Sequence, residues 1–111
     1  MTIYKILPGP MWEEAIAAGS FRGSPIDLAD GFIHFSTAAQ VKETAARHFA
    51  GVTDLLLIAV ESRALGEAIR WEPSRGGDLF PHLYSSLPVT AALWVKPLAI
   101  GTDGRHLFPE L

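Results

Sequence analysis

Asp54-Leu55-Leu56-Leu57-Ile58-Ala59-Val60-Glu61 is the stretch whose reading decides the fold. It is a continuous Leu, Ile and Val run between two acids, too short to cross a bilayer and without the alternation of a strand that keeps one face wet. It predicts a central strand buried on both faces.

Upstream of it, Phe32-Ile33-His34-Phe35 reads as a second strand. Alternation places Phe32, His34 and Ser36 on one face and Ile33 and Phe35 on the other. Thr37 and Gln40 fit a capping box, opening a helix in which Ala38, Val41, Ala45 and Phe49 recur at helical spacing until Gly51. Nearer the N-terminus, Ile3 to Leu7 suits an opening strand, and Gly9-Pro10 then starts a helix. In that helix Trp12 and Ile16 share a face, Glu13 and Glu14 sit in the first turn, and Gly19 is the stop. Ser20 to Gly31, with Gly23, Pro25, Asp27, Asp30 and Gly31, reads as a turn-rich loop.

Downstream, a helical turn is expected around Ser62 to Glu67. Ile69 to Glu72 alternates again, with Ile69 and Trp71 inward and Arg70 and Glu72 on the opposite face. Pro73 to Asp78 reads as a flexible loop. Leu79 to Tyr84 and Leu93 to Leu98 are further strands, which Pro81 and Pro97 push toward sheet edges or strand ends. The whole reads as one α+β domain over residues 1–100, with mixed or antiparallel sheets, two or three helices, and a tail over 101–111 that drapes on the domain.

Composition bounds the chemistry. The chain has 111 residues, 49% of them hydrophobic and 19% charged, a net charge of −3 and no cysteine. One domain of this size buries roughly two-thirds of the surface its unfolded chain exposes, enough for a packed core. Thiolate metal sites, disulfides and cysteine nucleophiles are excluded. With nine basic against twelve acidic residues, a nonspecific nucleic-acid binder is not expected. No segment is long and apolar enough for a membrane span, and the first ten residues lack the pattern of a secretory signal, so the cytoplasm is the default location.

Two segments set histidine beside aromatics and hydroxyls: Gly31 to Thr37 and Phe80 to Tyr84. In extended chain Phe80, His82 and Tyr84 share a face, as do Phe32, His34 and Ser36. A histidine on an apolar strand needs a hydrogen-bond partner or access to water, so a cleft between the segments is one reading. The other is that each histidine is a satisfied structural residue near a strand end. For Ser36 and Thr37, capping of the following helix is a plainer explanation than binding. Glu72 beside Trp71 is a candidate acid or base, and Arg75 in its Gly-containing loop a candidate clamp for phosphate or carboxylate. For both the plainer reading is a solvated surface charge. A metal site from His34, His82 and Glu72 ranks low, because no two of them have a helical ligand spacing. No phosphate loop, HExxH, GxSxG or Rossmann fingerprint is present.

The series Ile3-Tyr4-Lys5-Ile6, Trp12-Glu13-Glu14-Ala15, Asp30-Gly31-Phe32-Ile33-His34-Phe35-Ser36-Thr37-Ala38-Ala39-Gln40-Val41, Leu55 to Val60, Arg70-Trp71-Glu72 and Phe80-Pro81-His82-Leu83-Tyr84 resembles the bacterial family called domain of unknown function 952, over roughly residues 2–98. That family has no established activity and is similar in fold to the ADP-ribosyltransferase group, whose active members hold NAD in a cleft between two sheets. The resemblance implies NAD as a candidate cofactor. His34 and Ser36 match the group's His-x-Ser/Thr pattern, which implies contacts to a ribose hydroxyl and support for the nicotinamide end. Tyr84 is the nearest match to the tyrosine that stacks the nicotinamide. The group's late catalytic glutamate has no counterpart: Glu72 precedes Tyr84, and Glu110 lies beyond the match.

Two expectations follow. One is a nucleotide pocket walled by Phe32, His34, Ser36, Phe80, His82 and Tyr84, with Thr37 and Arg75 as further ligand contacts and Glu72 and His82 as candidate catalytic groups for transfer or hydrolysis at a glycosidic bond. Such a bond breaks with oxocarbenium character on the ribose, which a carboxylate stabilises. The alternative is a noncatalytic module that uses the same cleft or an apolar patch to bind a protein or metabolite.

Overall fold

The computed structural model describes residues 1–111 apart from the side chain of Arg75. Leu55–Glu61 forms β5, an inner strand with β1 (Thr2–Pro8) on one side and β9 (Ala92–Leu98) on the other; β4 (Ser36–Thr37) adds to β1, giving the order β4-β1-β5-β9. The other α-helices and strands are α1 (Gly9–Ala18), β2 (Ser20–Phe21), α2 (Pro25–Asp30), β3 (Ile33–His34), α3 (Val41–His48), β6 (Ile69–Pro73), β7 (Leu79–Leu83) and β8 (Leu87–Pro88), and the expected helical turn after β5 is a 3-10 helix, Ser62–Ala68. A second sheet has the order β3-β7-β6, and β2 pairs with β8. Every strand pairing is antiparallel, so the architecture is one α+β domain. Among the described residues no helix is long and apolar enough to cross a membrane.

The uniform hydrophobicity of β5 has a direct cause, because its sheet is covered on both faces. Ile58 and Val60 join Ile3 and Leu7 of β1, Trp12, Phe21, Ile33, Phe35 and Leu83 in one core layer. Leu55, Leu57 and Ala59 join Tyr4, Ile6, Val41 and Ala45 under α3, where Phe108 of the tail also packs. The tail is further tied by the Ile100↔His106 bridge and by a 2.8 Å contact between His106 Nε2 and the Val52 carbonyl.

Several local expectations are corrected. Phe32 to Phe35 is not one strand: His34 ends β3 in the smaller sheet and Ser36 begins β4 in the larger, with buried Phe35 at the crossover. Ser20 to Gly31 is not all loop, because it holds β2 and α2. Asp27 accepts from the Ser24 N–H at 2.8 Å, and Gly31 closes the helix at φ 86°, a left-handed conformation that favours glycine. Helix α1 starts at Gly9, so Glu13 and Glu14 fall past its first turn, and its buried residues are Trp12 and Ala15 while Ile16 is exposed. Helix α3 starts at Val41, leaving Ala38 exposed in a turn; Gln40 Oε1 accepts from the Thr37 N–H, but Gln40 Nε2 reaches the Leu79 carbonyl and ties the turn to β7.

Trp71 is exposed because the β6–β7 hairpin runs past the core, so only Ile69 of its pair is covered. The hairpin turns through Arg75–Gly77, with Ser74 N–H donating to the Asp78 carbonyl. Pro81 lies in the central strand of its sheet, not at an edge. It is tolerated because β3 ends at the His34↔His82 pair. The Pro81 carbonyl still accepts from Phe35 N–H, and its missing N–H falls on that same side, beyond the last β3 pair.

Candidate functional site

The site forms where the two sheets part. Because β4 pairs only with Ile3 and Tyr4, β1 has no strand on that side from Lys5 onward. A cavity of about 650 Å³ occupies the gap. Lys5, Ile6 and Pro8 form one wall; Ser24, Pro25, Ile26 and Asp30 of the α2 segment form another; Thr44, His48 and Phe49 close the α3 side; and Phe80 and His82 of β7 close the last, with His34, Phe35 and Ser36 at the crossover.

His34 and His82 are register partners across β3 and β7. Pairing of like faces is what antiparallel strands impose, so the two alternating sets meet: His34 with His82 at 5.5 Å between ring centroids, and Phe32 stacked on His82 at 4.0 Å. Each histidine is held by carboxylate, not by backbone carbonyl. His82 Nδ1 lies 2.9 Å from Glu72 Oε1, which also accepts from the Tyr84 hydroxyl at 2.6 Å. Arg70 covers the Tyr84 ring at 4.7 Å. The Tyr84 hydrogen bond first, then that of His82, draws the Glu72 carboxyl below its ordinary range, and the same bond raises the Tyr84 hydroxyl.

His34 Nδ1 lies 2.6 Å from Asp27 Oδ1 and Nε2 lies 2.9 Å from Asp30 Oδ2. Asp27 is the hub of this side. Its buried carboxylate receives Lys5 Nζ at 3.0 and 2.9 Å, the Ser24 N–H, and both the backbone N–H and the ring of His34. Burial alone would push this carboxyl up, but the His34 bond, the Lys5 charge and the Ser24 bond outweigh it and hold Asp27 well below the usual carboxylate range. At Lys5 burial outweighs the attraction of Asp27, drawing the ammonium below its ordinary value.

Of the residues expected at the site, His34, Ser36, Phe80 and His82 line the large cavity. Phe32 and Tyr84 lie behind His82 on a second hollow of about 240 Å³. Glu72 lines neither; it faces His82 and Tyr84. Thr37 lines neither, and its N–H is taken by Gln40. The Arg75 side chain lies outside the described residues. Ser36 Oγ meets Thr44 Oγ1 at 3.0 Å, an arrangement of hydroxyls inside the cavity and not a helix cap. Among the described residues no group of three or more His, Asp and Glu is placed to hold a metal ion.

Lys5, Asp27, Asp30, Thr44 and His48 belong to the site without being expected there; Asp27 and Asp30 read from sequence as turn residues and His48 as a residue of a helix end, which it is. A signal existed for two of them: a lone lysine inside the apolar Ile3 to Leu7 run demands a buried anion, and Ser24-Pro25-Ile26-Asp27 is a capping pattern with a short acid in place of Glu.

Residues 6–95 match the model of a family described as "Protein of unknown function (DUF952)". The chain is similar to the crystal structure of protein CC0527 from Caulobacter crescentus, with 48% identity, a TM-score of 0.93, and coverage of 96% of this chain and 94% of that one. The solution structure of CC0527 is similar too, with 50% identity, a TM-score of 0.85, and coverage of 94% and 90%. No curated protein matches.

Proposed function

We propose, from the premise that this chain belongs to the DUF952 family, that the cavity between its sheets binds a nucleotide-class small molecule, with His34 and His82 as its main polar contacts. The observation that carries this reading is that both histidines, each held by a carboxylate, open on one cavity. A volume of about 650 Å³ falls within the range of small-molecule sites, roughly 300–1,000 Å³. Ile6, Met11, Ile26 and Phe49 offer apolar surface for a base, while His34, His48 and His82 place ring nitrogens on the same lining for polar contacts.

We keep NAD among the candidate ligands because the sequence resemblance implies a relation to the ADP-ribosyltransferase group. The resemblance does not assign Glu72 a place beneath a ribose, since that carboxylate is turned toward His82 and Tyr84. Glu72 acts as a positioning residue for His82.

Calorimetric titration with NAD, ADP-ribose and nucleoside monophosphates tests the reading. Saturable one-site binding is expected with at least one of them, weakened about tenfold or more in His34→Gln, since a hydrogen bond to a charged group is worth about 1.5–3 kcal/mol. No heat from any of them at millimolar concentration overturns it and leaves the noncatalytic protein-binding module.

A further inference from the structure

The geometry points to a phosphodiesterase activity in which His34 and His82 act as acid and base on a cyclic ribonucleotide. This rests on the nucleotide reading of the cavity and goes beyond it by naming the bond broken.

Hydrogen-bond accounting gives the two rings opposite roles. Glu72 can only accept, so its contact places a hydrogen on His82 Nδ1, and in the neutral ring the lone pair then lies on Nε2. Nε2 has no partner among the described residues. No buried side-chain nitrogen or oxygen among them lacks one, so Nε2 is open to the cavity that His82 lines. At His34, Nδ1 bonds Asp27 and Nε2 lies 2.9 Å from Asp30, a setting that fits a ring carrying a hydrogen on each nitrogen. In the proposed cycle a neutral His82 presents the acceptor and a protonated His34 the donor.

The two acids on His34 differ in freedom. Asp27 is buried and fixed by Lys5, Ser24 and His34 itself. Asp30 is the last residue of α2, lines the cavity, and its side chain is 43% exposed. A ligand oxygen can therefore replace Asp30 at Nε2 while Asp27 keeps the ring oriented.

In-line displacement at phosphorus sets the attacking and leaving oxygens on opposite sides of the phosphorus atom, so it needs two groups. Two rings with centroids 5.5 Å apart can serve one oxygen each. In a 2′,3′-cyclic nucleotide, His82 Nε2 takes a proton from water as the water oxygen bonds to phosphorus. The bond from phosphorus to O2′ breaks with its electron pair on O2′, which takes the His34 Nε2 proton. The product is the 3′-monophosphate, and the rings return to their starting states by exchanging protons with solvent. Water is the one co-reactant.

The test follows 2′,3′-cyclic AMP with the full chain by phosphorus NMR in the presence of EDTA, alongside calorimetry with 3′-AMP. Conversion to 3′-AMP is expected, slowed about 100-fold or more in His82→Asn and in His34→Asn. Glu72→Gln should lower kcat at least tenfold with KM unchanged, a split that loss of packing would not give, and it serves where a histidine variant fails to fold. Wild-type protein that binds 3′-AMP but leaves the cyclic substrate intact overturns the activity and leaves the pocket reading standing. Absence of both binding and turnover overturns both. Turnover that survives in folded His34 and His82 variants overturns the acid and base assignment.

Discussion

Asp27→Ala is expected to destabilise the protein by about 3–5 kcal/mol, read as a lowered urea midpoint with an unchanged slope. The carboxylate holds four donors from three parts of the chain: Lys5 on the large sheet, Ser24 at the start of α2, and the backbone and ring of His34 on the small sheet. Removing it leaves a buried ammonium without an anion. It also removes the partner that fixes α2, which is too short to persist on its own. The double change Lys5→Met with Asp27→Leu should regain most of the loss, because well-packed apolar groups often replace a buried ion pair without penalty. Stability lost equally in the single and double variants would contradict the account.

The same residue sets an acid limb. Since the folded-state carboxyl lies below its unfolded value, the unfolded chain takes up protons first as pH falls. The Asp27 contribution is complete above the ordinary carboxylate value of about 3.9, and drains away as pH drops below it toward the depressed native value. Asp27→Asn should flatten this limb of the stability curve. An unchanged slope between pH 4 and pH 2, to about a tenth of a kcal/mol per pH unit, would count against the hub.

The second large effect is Phe35→Ala, also about 3–5 kcal/mol. Phe35 is almost fully buried, packs in the core between the sheets, and anchors the crossover by donating its N–H to the Pro81 carbonyl. Truncation leaves a void beside the existing cavity, where little can collapse to fill it. Phe32→Ala, which strips a half-buried ring from the back of His82, should cost less in stability, about 1 kcal/mol, yet disturb the site more. Denaturant curves and ligand titrations on the same two variants separate these outcomes.

How much of this was legible in the sequence follows from which interactions are local. The burial of β5 on both faces could be read from its composition, and the grouping of Phe32 with His34, and of Phe80 with His82 and Tyr84, from the two-residue period of a strand. That these groups meet depends on the pairing of β3 with β7, which side-chain order along one chain does not state. The break at Phe35 was hidden because consecutive residues keep their alternation while the strand changes sheets. Helix α2 was hidden because six residues carry no helical period; its stability comes from Lys5, distant in sequence, and from His34 just beyond its end. Asp30 could not be distinguished from any exposed acid until α2 placed it on the cavity.

The claim on which the functional account depends is that His34 and His82 share one ligand cavity. Nitrogen-edited NMR of the imidazole rings during addition of 3′-AMP addresses it most directly. The account predicts that the His34 and His82 ring signals shift together and saturate at one ligand concentration, while His106, held by the Val52 carbonyl and outside the cavity lining, stays fixed. Saturable binding of 3′-AMP with both of those rings unmoved would contradict it.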